Sequence, residues 1–213
     1  MSVQLQLRRD TYANVNANKG AVGEIFVDTT TQRLVIQDGV TNGGFPSPVV
    51  LSAQNNGSTN DSSVGSGAFV THNLSFVIPA NLMIAKRVFR ATAHLQLSTG
   101  TVVPFLTIRL LLGAVVLSSS AGQAMLASQS NVQVALQWLF QATQAPGASS
   151  GVQCAPLQNT NFGINTASVG LTPMPAIIAT NAAQTLAIAT QWGAAGTGSN
   201  LVGLNQLILE ALN

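Results

Sequence analysis

Apolar and polar residues alternate with a period of two along several segments of the chain. Residues 88–97 are typical: one face holds Phe89, Ala91, Ala93, Leu95 and Leu97, and the other Arg90, Thr92, His94 and Gln96. This period indicates half-buried β-strands. The runs predicted as strands are Phe69–Ile78, Val88–Leu97, Val102–Leu112, Val132–Thr143, Thr185–Trp192 and Asn205–Leu212.

Connections rich in Gly, Ala and Ser separate these runs, for example Ala145–Gly151 and Gly193–Asn200. Several strands with short connections predict an all-β fold, most simply a two-sheet antiparallel β-sandwich of the jelly-roll type. Two segments, Ala121–Ser128 and the Ala-rich Ala176–Ala189, leave a helical turn open as an alternative.

A polar, low-complexity stretch divides the chain. Residues 54–67 read QNNGSTNDSSVGSG, and this composition is typical of a linker. The predicted organisation is a small β-hairpin domain over residues 1–53, a linker over 54–67 and the sandwich over 68–213.

Charge is unevenly distributed between these parts. Only 7% of the residues are charged, against roughly 25% in ordinary soluble proteins. Beyond Ala91 the Asp, Glu, Lys and Arg residues are Arg109 and Glu210 alone. The net charge is +2, with no Lys/Arg run interleaved with aromatics. We therefore expect no nucleic-acid partner, no metal site and no cofactor.

The second part also lacks material for catalysis. Glycoside hydrolysis generally needs two carboxylates, and after residue 53 the chain offers only Asp61 and Glu210. We expect a protein that is not an enzyme. Among the other candidate groups, we expect the two His to be structural or surface residues, the Cys to be a small core or loop residue, and the two Trp to be core rather than sugar-stacking platforms. These residues are His72, His94, Cys154, Trp138 and Trp192.

Neither a secretory signal nor a membrane span is expected. Met1–Arg9 has no apolar core, and the most apolar run, Val102–Leu117, carries Arg109 at its centre. That run is shorter than the about 20 residues of a spanning helix. The neutral Gln, Asn, Ser and Thr faces of the strands instead favour contact between identical chains, because like charges would otherwise meet.

The N-terminal part carries an ordered set of short motifs. It begins with Gln6–Thr11 (QLRRDT), continues with Gly23–Ile36 (GEIFVDTTTQRLVI) and closes with Gln37–Thr41 (QDGVT). Glu24–Val27 and Arg33–Ile36 predict a β-hairpin across a polar connection, followed by an Asp-Gly turn.

These motifs, over Val3–Pro48, resemble the β-prism-like N-terminal domain of bacteriophage tail-fibre and receptor-binding proteins of the major tropism determinant type. The family usually has Trp residues where this chain has Asn14–Val15 and Asn42–Phe45. The resemblance implies a domain that trimerises and attaches to the virion. Its motif residues here are Arg8, Arg9, Gly23, Glu24, Asp28, Arg33, Asp38 and Gly39.

Three functions follow as hypotheses. The first is a trimeric head or tail fibre or spike on the exterior of a phage particle, attached through residues 1–53, with the sandwich facing outward. The alternative is a decoration (cement) protein that stabilises the capsid shell. A glycan-binding module for host adsorption is the third and least favoured. The expected partners are two further copies of the chain, other virion proteins and, for the third hypothesis, a host surface glycan.

Overall fold

A computed structural model describes residues 7–30, 33–40, 42–46, 49–55, 62–64, 67–102, 105–120, 122–157, 171–173, 176–193 and 200–212. The chain forms two compact units. The first comprises Met1–Val49 together with Ala211–Asn213, and the second comprises Val50–Glu210.

The N-terminal unit is a small four-stranded sheet with one short helix. Its elements are β1 (Arg8–Asp10), α1 (Tyr12–Ala17), β2 (Ile25–Asp28), β3 (Arg33–Ile36) and β4 (Phe45–Pro46). The strand order is β1-β2-β3-β4. β1 runs parallel to β2, whereas β2, β3 and β4 are antiparallel. The predicted hairpin is therefore confirmed, with Asp28 opposite Arg33 at its turn.

The helix α1 was not among the predicted elements. It covers six residues and starts with the Val15 N–H donating to the Thr11 carbonyl at 2.9 Å. Val15 is buried and clusters with Phe26 of β2 and Val35 of β3. A helix this short is marginal in isolation, so its stability comes from this contact.

The second unit is a β-sandwich. Its strands are β5 (Val49–Asn55), β6 (Ser62–Val64), β7 (Val70–Ile78), β8 (Val88–Ser98), β9 (Phe105–Leu112), β10 (Val115–Ser120), β11 (Gln123–Ala124), β12 (Val132–Ala142), β13 (Ser150–Leu157), β14 (Leu171–Pro173), β15 (Ala176–Ile178), β16 (Gln184–Gly193) and β17 (Leu201–Ala211).

These strands form two sheets. The six-stranded sheet has the order β14-β10-β9-β16-β7, with β11 paired to β9, and the seven-stranded sheet has the order β15-β13-β12-β8-β17-β5, with β6 paired to β17. From β13 to β17 the chain changes sheet at each strand. Every strand pair whose register is described in this unit is antiparallel. The predicted jelly-roll-like sandwich is confirmed.

The alternating patterns face the core as predicted. β8 buries Phe89, Ala91, Ala93, Leu95 and Leu97 completely. β12 pairs with it in antiparallel register and buries Val134, Leu136, Trp138 and Phe140. The rings of Phe89 and Phe140 stack at a centroid distance of 5.3 Å. β9 and β16 supply the equivalent buried rows of the six-stranded sheet, among them Ile108, Leu110, Ile188 and Trp192.

Several segments differ from their prediction. Gln54 and Asn55 end β5, and Ser62–Val64 form β6, so described parts of the stretch predicted as a linker are strands of the sandwich sheet. Val50–Asn55 also belongs to the sandwich unit rather than to the N-terminal one. Residues 56–61 and 65–66 lie outside the described part.

The two segments with a helical alternative form strands and turns, and no helix, where they are described. Ala176–Ile178 and the residues from Gln184 onward are strands, and Gln123–Ala124 forms β11. In β16 the small side chains of Ala187 and Ala189 are buried even though their positions alternate with the core-facing ones. Burial on both faces removes the period-two alternation. The Ala-rich sequence of residues 176–189 was therefore also compatible with a helical turn.

Candidate attachment surface of the N-terminal unit

Two glycines of the motif make sharp turns. Gly23 and Gly39 have φ angles of +79° and +75°, in the left-handed region that glycine adopts without steric cost. Asp38 accepts a hydrogen bond from the Val40 N–H through Oδ1 at 2.9 Å, which closes the second turn. The two turns are adjacent, because the Gly23 N–H donates to the Gln37 carbonyl at 2.8 Å.

The charged residues near β1 and β2 make exposed contacts. Arg8 Nη1 lies 3.6 Å from Glu24 Oε1, and the Arg8 guanidinium stands 4.6 Å above the Phe26 ring. Glu24 also accepts a hydrogen bond from the Ala21 N–H through Oε2 at 2.9 Å. Arg9 is exposed. Ion pairs this exposed contribute at most about 1 kcal/mol, so their main effect is to fix the loop that precedes β2.

Asp28 lies at the other end of the hairpin. It is 1% exposed and accepts a hydrogen bond from the Thr30 N–H through Oδ1 at 2.9 Å. Its register partner is Arg33. The structure thus brings Arg8 near Glu24, and Gly23 near the Asp38–Gly39 turn, but it places Asp28 and Arg33 apart from both. We interpret the motif as residues that shape the hairpin, not as one chemical site.

Sequence reasoning missed an apolar surface on this hairpin. Ile25 lies opposite Ile36, and Val27 lies opposite Leu34. Ile25, Leu34 and Ile36 are 38%, 44% and 52% exposed. We call these four residues the outer hairpin face.

The other side of the same two strands is covered. Phe26 and Val35 are buried there against Val15 of α1. The signal for two apolar faces was present in the sequence, because residues 25–27 (IFV) and 34–36 (LVI) are uninterrupted apolar runs. Such runs are typical of strands that are buried on both sides.

The outward side of the seven-stranded sheet is mostly neutral. The Gln137 amide donates to the Thr92 hydroxyl at 3.1 Å. One ion pair crosses from β8 to β17: Arg90 Nε and Nη2 donate to the two Glu210 oxygens at 2.6 and 3.0 Å. This bidentate pair lowers the pKa of Glu210 and raises that of Arg90.

An open groove of about 800 Å³ lies at one end of that sheet. Its lining is apolar or neutral and includes Leu139, Gln141, Gln153 and Ile177. Cys154 also borders it, but its side chain is buried, and burial raises the pKa of the thiol to about 12. The structure therefore leaves this thiol protonated at neutral pH, as a core residue.

The other candidate groups of the sandwich are structural. Trp138 and Trp192 are 0% and 1% exposed, which confirms them as core. His72 is buried beside Thr190, with Nε2 and Oγ1 3.0 Å apart. His94 is half-buried on the outward side of β8. Across the described ranges, no three His, Cys, Asp or Glu side chains come together in a metal-binding arrangement. None of the helices in those ranges has the length and apolar character to cross a membrane.

One segment of the N-terminal unit matches a known protein family. Residues 5–41 match the family described as the major tropism determinant N-terminal domain, which confirms the resemblance found in the motifs. The match indicates a component of the phage virion. No curated protein matches the chain at a significant level.

The solved structures that match the chain include viral and lectin proteins, each with a TM-score below 0.5. The CBM2 module of the evolved Dit protein of Lactobacillus casei BL23 phage J-1 is 8% identical, with a TM-score of 0.36 over 78% of this chain and 97% of that one. A protein of the infectious bursal disease virus particle is 13% identical, with a TM-score of 0.34 over 79% of this chain and 32% of that one. Winged bean acidic lectin is 9% identical, with a TM-score of 0.29 over 88% and 89%.

Proposed function

We propose that this chain is a non-enzymatic fibre or spike protein on the exterior of a phage particle. In this proposal the chain is a homotrimer, the N-terminal unit attaches it to other virion proteins, and the sandwich faces outward. The observation that carries the proposal is the outer hairpin face, within the segment that matches a phage tropism-determinant domain.

The physical argument is that this face needs a cover. A sheet with apolar side chains on both faces is stable when both are packed. The helix α1 covers one face through Val15, while Ile25, Leu34 and Ile36 remain 38–52% exposed on the other. A unit of about fifty residues is also marginal alone. Packing this face against the same face of two further copies would supply the missing buried area.

The neutral sandwich is consistent with close packing of identical chains. Its described carboxylate, Glu210, is already paired with Arg90, so unpaired carboxylates of the described residues would not oppose each other between copies. The same neutrality fits a decoration protein that sits on capsid three-fold positions, which is the alternative function. The two differ in where the protein lies on the particle.

Cryo-electron microscopy of intact particles tests the location. The fibre or spike proposal expects trimeric density that projects from the tail or from a head vertex, with the sandwich as its distal part. Density spread over the capsid three-fold or quasi-three-fold positions would replace that proposal with the decoration alternative. Absence of the protein from purified particles, checked by mass spectrometry, would contradict both.

A further inference from the structure

Arg109 has no acidic partner within the described part of the sandwich. Arg109 lies on β9 with its side chain on the outward face of the six-stranded sheet, because its neighbours Ile108 and Leu110 point into the core. The carboxylate of Glu210 is held by Arg90 on the other sheet. Within the described ranges, no carboxylate oxygen lies within ion-pair distance of the Arg109 guanidinium.

The Arg109 side chain is held in place by two contacts. Its guanidinium carbon lies 3.5 Å from the centre of the Phe69 ring, and Nε donates to the Ser119 hydroxyl at 3.4 Å. A guanidinium stacked on an aromatic ring keeps its planar fork available for bidentate bonds. The two terminal nitrogens, Nη1 and Nη2, make no hydrogen bond within the described part of the chain.

The surroundings of this fork are neutral and rich in hydrogen-bonding groups. Thr107 and Gln191 face each other across β9 and β16, two residues along the strand from Arg109. The Gln191 amide donates to the Gly67 carbonyl at 2.6 Å, so its carbonyl oxygen is left as an acceptor. Ser119 flanks Arg109 on the opposite strand, β10.

We propose that Arg109, with Thr107, Ser119 and Gln191 around it, binds a carboxylated sugar of an acidic polysaccharide. The Nη1 and Nη2 groups would donate in parallel to the two carboxylate oxygens, in a bidentate pair that is stronger than neutral hydrogen bonds. The hydroxyl and amide groups beside it would bind the sugar hydroxyls. This inference rests on the proposed outward position of the sandwich, since only then does the site meet a host surface.

The charge pattern favours this ligand over other anions. A nucleic acid would require several Lys or Arg side chains along its phosphates, and an acidic protein segment would be matched by more than one cation. A polysaccharide with one carboxylate per sugar unit fits this site better, because its carboxylate would pair with Arg109 and its neutral hydroxyls with the neutral hydrogen-bonding side chains around Arg109. The affinity of one such site is low, and three copies on a trimer would raise it through multivalency.

Binding of the full-length protein to an oligogalacturonate, measured by isothermal titration calorimetry, tests the proposal. We expect Arg109→Gln to weaken binding at least tenfold, and Arg109→Lys to weaken it as well because the planar fork is lost. Lys19→Gln, which removes the same charge from an exposed position in the N-terminal unit, should bind like the wild type. The methyl ester of the same oligosaccharide should bind no better than the Arg109→Gln protein binds the free acid.

Three results would overturn the proposal. They are an absence of binding to the wild type, equal binding of acid and ester, and an unchanged affinity of a folded Arg109→Gln protein. If hexaglutamate binds the wild type as well as the oligosaccharide does, and Arg109→Gln abolishes both, the ligand is an acidic protein segment instead. Phe69→Leu, which leaves Arg109 in place without its platform, provides a second variant should Arg109→Gln fold poorly. These measurements use purified protein, so their failure is distinguishable from a failure to find the protein on particles.

Discussion

Replacing Ile36 with Asp places a carboxylate on the outer hairpin face. Ile36 is 52% exposed in the single chain and lies opposite Ile25. Complete burial of an Ile side chain contributes about 1.5–3 kcal/mol, so burial of the exposed half in an interface would contribute about 1 kcal/mol per protomer. An unpaired carboxylate in that interface would cost several kcal/mol more. The combined loss, on the order of 4 kcal/mol per protomer, corresponds to a weakening of several hundredfold or more.

Light scattering coupled to size-exclusion chromatography measures the result. We expect the Ile36→Asp protein to elute as a monomer at micromolar concentration, with an unchanged far-ultraviolet circular dichroism spectrum, because Phe26 and Val35 still pack on the other face. The matched control is Val40→Asp, which adds the same charge at a 72% exposed position after the Asp38–Gly39 turn. A trimeric Ile36→Asp protein, or a control that also dissociates, would refute the assignment of this face as the interface.

Three further predictions concern the stability and reactivity of the chain. Glu210→Gln should lower the free energy of unfolding by about 1 kcal/mol, since a partly exposed bidentate pair is screened by solvent. Arg90 lowers the pKa of Glu210 from its usual 4.5. The stability difference between the wild type and the variant should therefore be complete above pH 4.5 and disappear as the pH falls through the folded-state pKa of Glu210. Thermal melts of both proteins between pH 2 and 7 check this, and a difference that persists at the lowest pH would contradict it. Cys154 should react with a thiol reagent at pH 8 only after unfolding, as its pKa is about 12; rapid labelling of the native protein would show that the thiol is accessible. Gly39→Ala should cost about 1 kcal/mol or more because of its φ of +75°, and its Cβ would also lie 2.9 Å from Val22 Cγ2; an unchanged urea midpoint would contradict this.

Much of the sandwich could be predicted because strands such as β8 and β12 are fully buried on one face only. In β8 and β12 every second residue is apolar, and those residues are the buried ones. The tryptophans followed the same rule, since Trp138 and Trp192 occupy core-facing positions in their strands.

The segments that were missed lack this signal. In β10 a register shift between Val116 and Ser118 interrupts the alternation, and Ser118 and Ser120 are buried polar residues. β6 is short and polar, and both β5 and β6 pair with β17, more than a hundred positions away in sequence. Local composition does not encode pairing at that distance.

The N-terminal motif could be recognised from the sequence, but the contacts of its individual residues could not. The sequence identifies its charged residues as motif residues. In the structure, Arg8 and Glu24 form an exposed contact and Asp28 closes a turn. The surface with the most exposed apolar area on the hairpin consists of Ile25, Val27, Leu34 and Ile36, which read as ordinary strand residues. The helix α1 covers one face of these strands, and the structure was needed to see that the other face stays exposed in the single chain.

The molar mass of the purified full-length protein in solution tests the central claim most directly. A homotrimer held together by the outer hairpin face predicts about 66 kDa by light scattering, three times the 21.9 kDa of one chain. The mass should not change with dilution through the micromolar range. A mass of 21.9 kDa at all of these concentrations would contradict the account.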